Sequence, residues 1–184
     1  MTSLVGLIIA KQESTRLKDK NCREFFGQPM FVWNVAKCLG AFDEVWMSSD
    51  SDFILSLIRA MGGRTIKRPF ELCGDTPNIP VYQHAQKFMN ADIIVAVQAN
   101  SPTIKQELIE KCRDIMLRTN CQELMTCHPD YSIYGSVWAL TRERLADYGN
   151  PHKPKPDILI IDDSTDIHTL EDFKKAEDVF RKPI

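Results

Sequence analysis

Lys11, Arg16, Lys18 and Lys20 stand within one short stretch, with Ser14, Thr15 and Asn21 among and beside them. Cations interleaved with hydroxyls and an amide suit an anion of high charge, because they neutralise it and fix its oxygens at once. Taken alone, a loop of this kind is more often a solvated surface. Its place in the chain argues otherwise. It follows Leu4-Val-Gly-Leu-Ile-Ile-Ala10, a run apolar on both faces, which is the mark of a strand in the middle of a parallel sheet. A basic loop at the carboxyl end of such a strand is where open α/β sheets hold nucleotides. No dinucleotide-type glycine fingerprint follows this strand. Phosphates would therefore fall to backbone amides together with Ser14, Thr15, Arg16 and Lys20, and the expected ligand is a nucleoside triphosphate.

The rest of the chain reads as the frame for that loop. Pro29 opens a helix whose stripe is Val32, Val35, Ala36 and Leu39. Glu44–Ser48 is a short strand, and the Ser49-Asp50-Ser51-Asp52 run after it is rich in helix N-caps, Asp50 being most simply a cap. A helix with Ile54, Leu57, Ile58 and Met61 inward stops at Gly62-Gly63. Arg64–Lys67 is an edge strand, the loop 68–77 follows, and the next helix turns Val81, Ala85 and Phe88 inward. Asp92–Gln98 is a second central strand, ending in Ala99-Asn100-Ser101-Pro102. A helix with Leu108, Cys112, Ile115 and Met116 inward comes next, then strands at 123–127, 134–140 and 157–161 and a terminal helix at 170–180. Alternating strands and helices imply a Rossmann-like three-layer α/β/α sandwich on a mainly parallel sheet. Four polar stretches, 11–21, 48–52, 98–102 and 162–168, then share the carboxyl edge and can meet in one cleft.

At 184 residues the chain is expected to be a single domain, 1–184. A net charge of −2 offers no global attraction to nucleic acid or membrane, so anion affinity must be local. No apolar run reaches membrane-spanning length and no signal peptide is evident, so a cytoplasmic protein is expected. Cys22, Cys38, Cys73, Cys112, Cys121 and Cys127 show no paired C-x-x-C spacing and read as buried structural thiols. Trp33, Trp46 and Trp138 read as core, His84 as a helix-face residue and His152 as a loop residue.

Five stretches in order carry a resemblance. Ala10-Lys-Gln-Glu-Ser-Thr-Arg-Leu-Lys-Asp-Lys-Asn21, Ser48-Ser-Asp50, Arg68-Pro-Phe-Glu-Leu72 with Asp75-Thr-Pro77, Gln98-Ala-Asn-Ser-Pro102, and Thr165-Asp-Ile-His-Thr-Leu-Glu-Asp172 resemble the loops of the acylneuraminate cytidylyltransferases. Those enzymes activate sialic acids and related nonulosonic sugars with CTP. The resemblance implies the nucleotide-diphospho-sugar-transferase fold and transfer of CMP from CTP to a sugar's anomeric hydroxyl, with release of pyrophosphate. It implies catalytic roles for Lys20, Lys11 and Asp166, and nucleotide contacts from Ala10, Lys11, Ser14, Arg16, Lys20, Asn21, Arg68 and Asp75. It also implies contacts to an acidic sugar from Gln98 and Ser101, and Mg2+, or Mn2+ in its place, on Asp166 with His168.

Three departures qualify the match. Lys11 stands where the family has arginine, keeping the charge but not a bidentate fork. His168 stands where a second metal carboxylate is expected, and imidazole favours a softer ion such as Mn2+; on its own, His168 reads as a cap of the last helix. The link from Cys127 to Tyr134 is short, so the extension that builds the family's homodimer is reduced or absent. Two other readings therefore stay open. One is a nucleotidyltransferase of this fold with another sugar or nucleotide, and the other is a catalytically weakened nucleotide-binding or regulatory protein.

Overall fold

The computed structural model describes residues 2–14 and 16–181; Thr15, one of the expected phosphate-loop hydroxyls, lies outside them. Strand β1 (Leu4–Ala10) lies inside a seven-stranded sheet, third from one edge. It pairs in parallel with β4 (Val45–Ser49) on one side and β6 (Ile93–Gln98) on the other, while β5 (Arg64–Lys67) forms the edge beyond β4. Past β6 lie β8 (Ile133–Thr141), β7 (Glu123–Cys127) and the opposite edge β9 (Ile158–Ile161). Only β8 runs against its neighbours, because a short turn at 128–132 joins it directly to β7. β2 (Glu24–Phe25) and β3 (Gln28–Pro29) make a separate two-residue ladder.

The strand order β5-β4-β1-β6 reverses direction at β1. Chains wound this way open a crevice beyond the carboxyl ends of the two strands that flank the reversal. Helices α1 (Met30–Ala41), α2 (Asp52–Ala60) and α4 (Gln106–Arg118) close one face of the sheet, sharing a core with Ile8, Met47 and Val97. Helix α3 (Asn78–Gln86) and the short α5 (Arg142–Ala146) close the other face over Leu7, Ile94 and Leu140. The last helix, α6 (Leu170–Arg181), packs elsewhere: Phe173 and Ala176 join Leu17, Phe25, Met30 and Ile167 behind the basic loop. The arrangement is the expected three-layer sandwich. Gly6 shows how tightly β1 is wedged, since a Cβ there would come within 2.6 Å of Phe42.

Several local expectations change. The buried stripe of α1 is Phe31, Asn34, Val35, Cys38 and Ala41, which leaves Ala36 exposed, because the helix faces the sheet about one residue away from the predicted line. Phe88 is 55 % exposed: α3 ends at Gln86, so the helical period that pointed Phe88 inward stops short of it. Ser51, not Asp50, caps α2 through its hydroxyl. Thr169, not His168, precedes the first residue of α6, and its hydroxyl takes the Asp172 N–H while Asp172 takes the Thr169 N–H. That reciprocal pair is a capping box. All six cysteines are free thiols, four of them buried, and burial pushes Cys38 and Cys112 up to about 12. Among the described residues no helix is long and apolar enough to cross a membrane.

Candidate active site

Beyond the ends of β1 and β6 lies a cavity of about 240 Å³, and a recess of about 50 Å³ adjoins it. The basic loop forms one wall, with Lys11, Ser14, Arg16, Lys20 and Asn21. The 68–78 segment supplies Arg68, Gly74, Asp75, Thr76 and Asn78, and the end of β6 supplies Gln98 and Asn100. Four cations face this space against one lining carboxylate, Asp75. The field therefore favours an anion.

Each side chain has a local reason for its place. Asn21 is buried and donates to the Lys11 carbonyl at 2.9 Å, closing the basic loop on itself. The Gln12 N–H donates to Asp50 at 2.8 Å, which ties the loop to the end of β4. Lys11 Nζ reaches across the mouth to Asp75 at 2.7 Å and to the Gly74 carbonyl at 3.0 Å. Gly74 adopts φ +70°, a backbone state that costs glycine little and brings this carbonyl to the cation. The Lys11 ammonium holds the Asp75 carboxyl below its usual range. Arg68 is 6 % exposed; one guanidinium nitrogen donates to the Ser48 carbonyl at 2.9 Å, while its Nε has no hydrogen-bond partner among the described residues. Ser14 Oγ is likewise buried without one. Buried polar groups without partners cost stability, so both are placed for something other than the protein's own bonding.

Lys20 donates to the Ile167 carbonyl at 2.7 Å, a contact that joins the first loop to the last. Burial pushes its amine down to about 8; nearby Asp166 opposes the shift, and Arg16 and Lys11 add to it. Asp166 lies just behind the cavity wall. One of its oxygens takes the Asn100 amide and the other meets His168 Nε2. Burial raises the Asp166 carboxyl against the pull of His168, Lys20 and Arg16. Asp162 is spent elsewhere, buried and bonded to Ser136 and Ser164, and Asp163 is a surface partner of Lys105.

Among the described residues no three His, Cys, Asp or Glu side chains gather to hold an ion by themselves. Asp166 and His168 nonetheless stand side by side near Lys20, bonded to each other. A carboxylate with an imidazole suits a divalent ion that draws the rest of its shell from phosphate oxygens.

Most of the expected residues meet here. Ala10 is buried at the end of β1 beneath the cavity rather than in its wall. Ser101 is not brought to the wall: it is fully buried, and its carbonyl accepts from Asn34. Asn78, Thr76 and Asn100 were not singled out from sequence. For Asn100 a signal existed, an amide two residues past a strand end. Thr76 stood inside the Asp75-Thr-Pro77 stretch without a role of its own, and for Asn78 there was no signal, because only the folding of the 68–78 segment brings it in.

Known structures match this arrangement over nearly the whole chain. The CMP:2-keto-3-deoxy-manno-octonic acid synthetase complexed with CTP superposes with a TM-score of 0.77 at 16 % identity, covering 97 % of this chain and 98 % of that one. A Mycobacterium tuberculosis protein in complex with manganese gives 0.71 at 13 % identity, covering 96 % and 99 %. Sheet order, crevice and cation-lined wall thus define a protein of the nucleotide-diphospho-sugar-transferase fold. Within that fold the chain belongs to the cytidylyltransferase family, whose model matches residues 5–133.

Curated relatives include the 3-deoxy-manno-octulosonate cytidylyltransferase of Syntrophobacter fumaroxidans, 24 % identical over 154 residues, which cover 83 % of this chain and 57 % of that protein. Another is the Helicobacter pylori protein named pseudaminic acid cytidylyltransferase and UDP-2,4-diacetamido-2,4,6-trideoxy-beta-L-altropyranose hydrolase, 24 % identical over 133 residues, covering 68 % and 26 %. The chain spans 39–57 % of the length of the first curated relatives it matches.

Proposed function

We propose that this chain transfers CMP from CTP to the anomeric hydroxyl of an acidic sugar, releasing pyrophosphate. The observation that carries the reading is the convergence of Lys11, Arg16, Lys20 and Arg68 on one cavity at the sheet reversal, which Gln98 and Asn100 line as well. The names of the relatives, octulosonate and pseudaminic acid cytidylyltransferases, support an acidic sugar as the acceptor, and a sialic-acid-like sugar is among those we propose. By this proposal the chain works as a single domain with the family's dimer-building extension reduced or absent, which the short 128–132 link between β7 and β8 supports.

In this reading Ser14 and the loop amides take phosphate oxygens. Lys20, with Lys11 and Arg16, offsets the charge that grows on the departing pyrophosphate. Arg68 and Asn21 fix the nucleoside side, and Gln98 orients the sugar. Asp166, with His168, would hold a divalent metal, Mg2+ or Mn2+, which when bound neutralises triphosphate charge. The barrier falls by positioning and electrostatics rather than by a covalent intermediate.

The test is pyrophosphate release from CTP with 3-deoxy-manno-octulosonate, pseudaminate or N-acetylneuraminate, each with Mg2+ or Mn2+. Release with one of them is the expected result; silence with all three defeats the proposal. A second reading, a catalytically weakened nucleotide-binding protein, is favoured by the way Asn100 and His168 already engage both oxygens of Asp166. Under that reading the native chain binds CTP without turnover, and His168→Asp gains Mg2+-dependent release.

A further inference from the structure

The loop that ends β6 is held from behind by two polar side chains of α1 that stand outside the cavity. Asn34 is fully buried, and its amide donates to two carbonyls of that loop, Gln98 at 2.7 Å and Ser101 at 2.9 Å. One turn further along α1, Lys37 Nζ donates to the Pro102 carbonyl at 2.6 Å and to Asn34 Oδ1 at 3.3 Å. Carbonyls that have left the sheet are thereby satisfied from the helix side, away from the cavity.

A lysine is a costly choice for this task. Burial pushes its amine down to about 8, and no carboxylate is bonded to it among the described residues. An apolar side chain would cover the same helix face without desolvating a charge. What the lysine adds is a fixed position for Pro102 and Asn34.

The same loop grips the far end of the chain on its other side. The Ile167 N–H donates to the Asn100 carbonyl at 3.0 Å, and the Thr165 N–H donates to Thr103 Oγ1 at 2.8 Å. The Asn100 amide also bonds Asp166 and the Ile167 carbonyl. The 98–103 segment is therefore seated between α1 and the 165–167 strap, so a shift of the loop moves Gln98, Asn100 and Asp166 together.

We propose that Asn34 and Lys37 are positioning residues for the acceptor side of the cavity, setting Gln98, Asn100 and Asp166 through the 98–103 segment while touching neither substrate. The inference rests on the proposed transfer to an acidic sugar. The cations of the nucleotide side are carried by other parts, the basic loop and Arg68, and Asp166 touches that side only through the metal it would hold, so a defect behind β6 should weigh on the acidic sugar while metal-free CTP binding is kept.

Lys37→Met keeps the length of the stem and removes the charge and its bonds. The expected result is a ten- to hundredfold drop, roughly, in kcat/KM for the acidic sugar, as when a reacting geometry is displaced from a distance. CTP affinity, by calorimetry without added divalent metal, and Tm stay near the wild type, and Lys37→Arg, which keeps donors at similar reach, recovers part of the loss. A parallel fall of CTP affinity, turnover and Tm overturns the proposal, as does an unchanged kcat/KM. Should the wild type turn over no acidic sugar, the proposed function fails instead, and positioning is then read by amide hydrogen exchange. Faster exchange at 98–104 and 165–168 in Lys37→Met, with the basic loop unchanged, supports the role; equal exchange in both proteins refutes it.

Discussion

Lys20 is the side chain on which the cavity's charge balance turns. Its burial and its hold on the Ile167 carbonyl make it a fixed cation rather than a surface one. Lys20→Met should lower the rate of pyrophosphate release from CTP by about 10²–10³-fold, the scale seen when one preorganised electrostatic contact is removed. Circular dichroism should show the fold retained. Lys37 makes a separate prediction about pH. Its folded amine sits at about 8 against 10.5 for the free group, because burial disfavours the charged form. Below about pH 8 both folded and unfolded chains carry the proton and the penalty is complete. Between 8 and 10.5 the unfolded chain still holds the proton that the folded one has lost, so this group's contribution to stability rises with pH. Denaturant unfolding at pH 7 to 10 should show the wild type gaining on Lys37→Met across that window, and a flat difference would contradict the assignment.

The elements show how far the sequence could be read. β1 and β6 were legible because fully apolar runs have few other homes, and their parallel order followed from alternation with helices. The basic loop was legible as a site because it follows β1. The helix caps were missed by one residue, at Ser51 and Thr169, since runs such as Ser-Asp-Ser-Asp offer several good caps and only the backbone decides among them. Asn34 and Lys37 were invisible as anchors, because a polar residue on a buried helix face announces a partner without naming it. Ser101 stood in a suggestive motif, but the fold buries it away from the cavity wall, where its carbonyl accepts from Asn34. Two substitutions probe these elements. Thr169→Ala removes half of the capping box and should cost ~1 kcal/mol, seen as a fall of about 2–4 °C in Tm for a chain of this size. Gly6→Ala places a methyl against Phe42 in the central strand and should cost about 1–3 kcal/mol as overpacking.

At the scale of the molecule, the cavity joins parts that are far apart in the chain, so its occupant should hold them together. CTP at 100 times its Kd should stabilise the fold by about 2.7 kcal/mol, which corresponds to a rise of about 5–10 °C in Tm. A smaller shift with CTP than with UTP or ATP would turn the nucleotide assignment elsewhere. The packing of α6 carries a consequence for how the protein is made. Leu17 and Phe25, close behind the basic loop, complete their core with Phe173 and Ala176, beside Met30 and Ile167, and Lys20 finds a carbonyl partner at Ile167. On the ribosome, β1 and its loop emerge well before α6. The sheet can assemble while translation continues, yet the loop stays only partly backed until that helix clears the exit tunnel. A nascent chain stalled before α6 should already resist proteolysis through β6 and still fail to retain CTP; a loop made early becomes functional only when the later helix arrives.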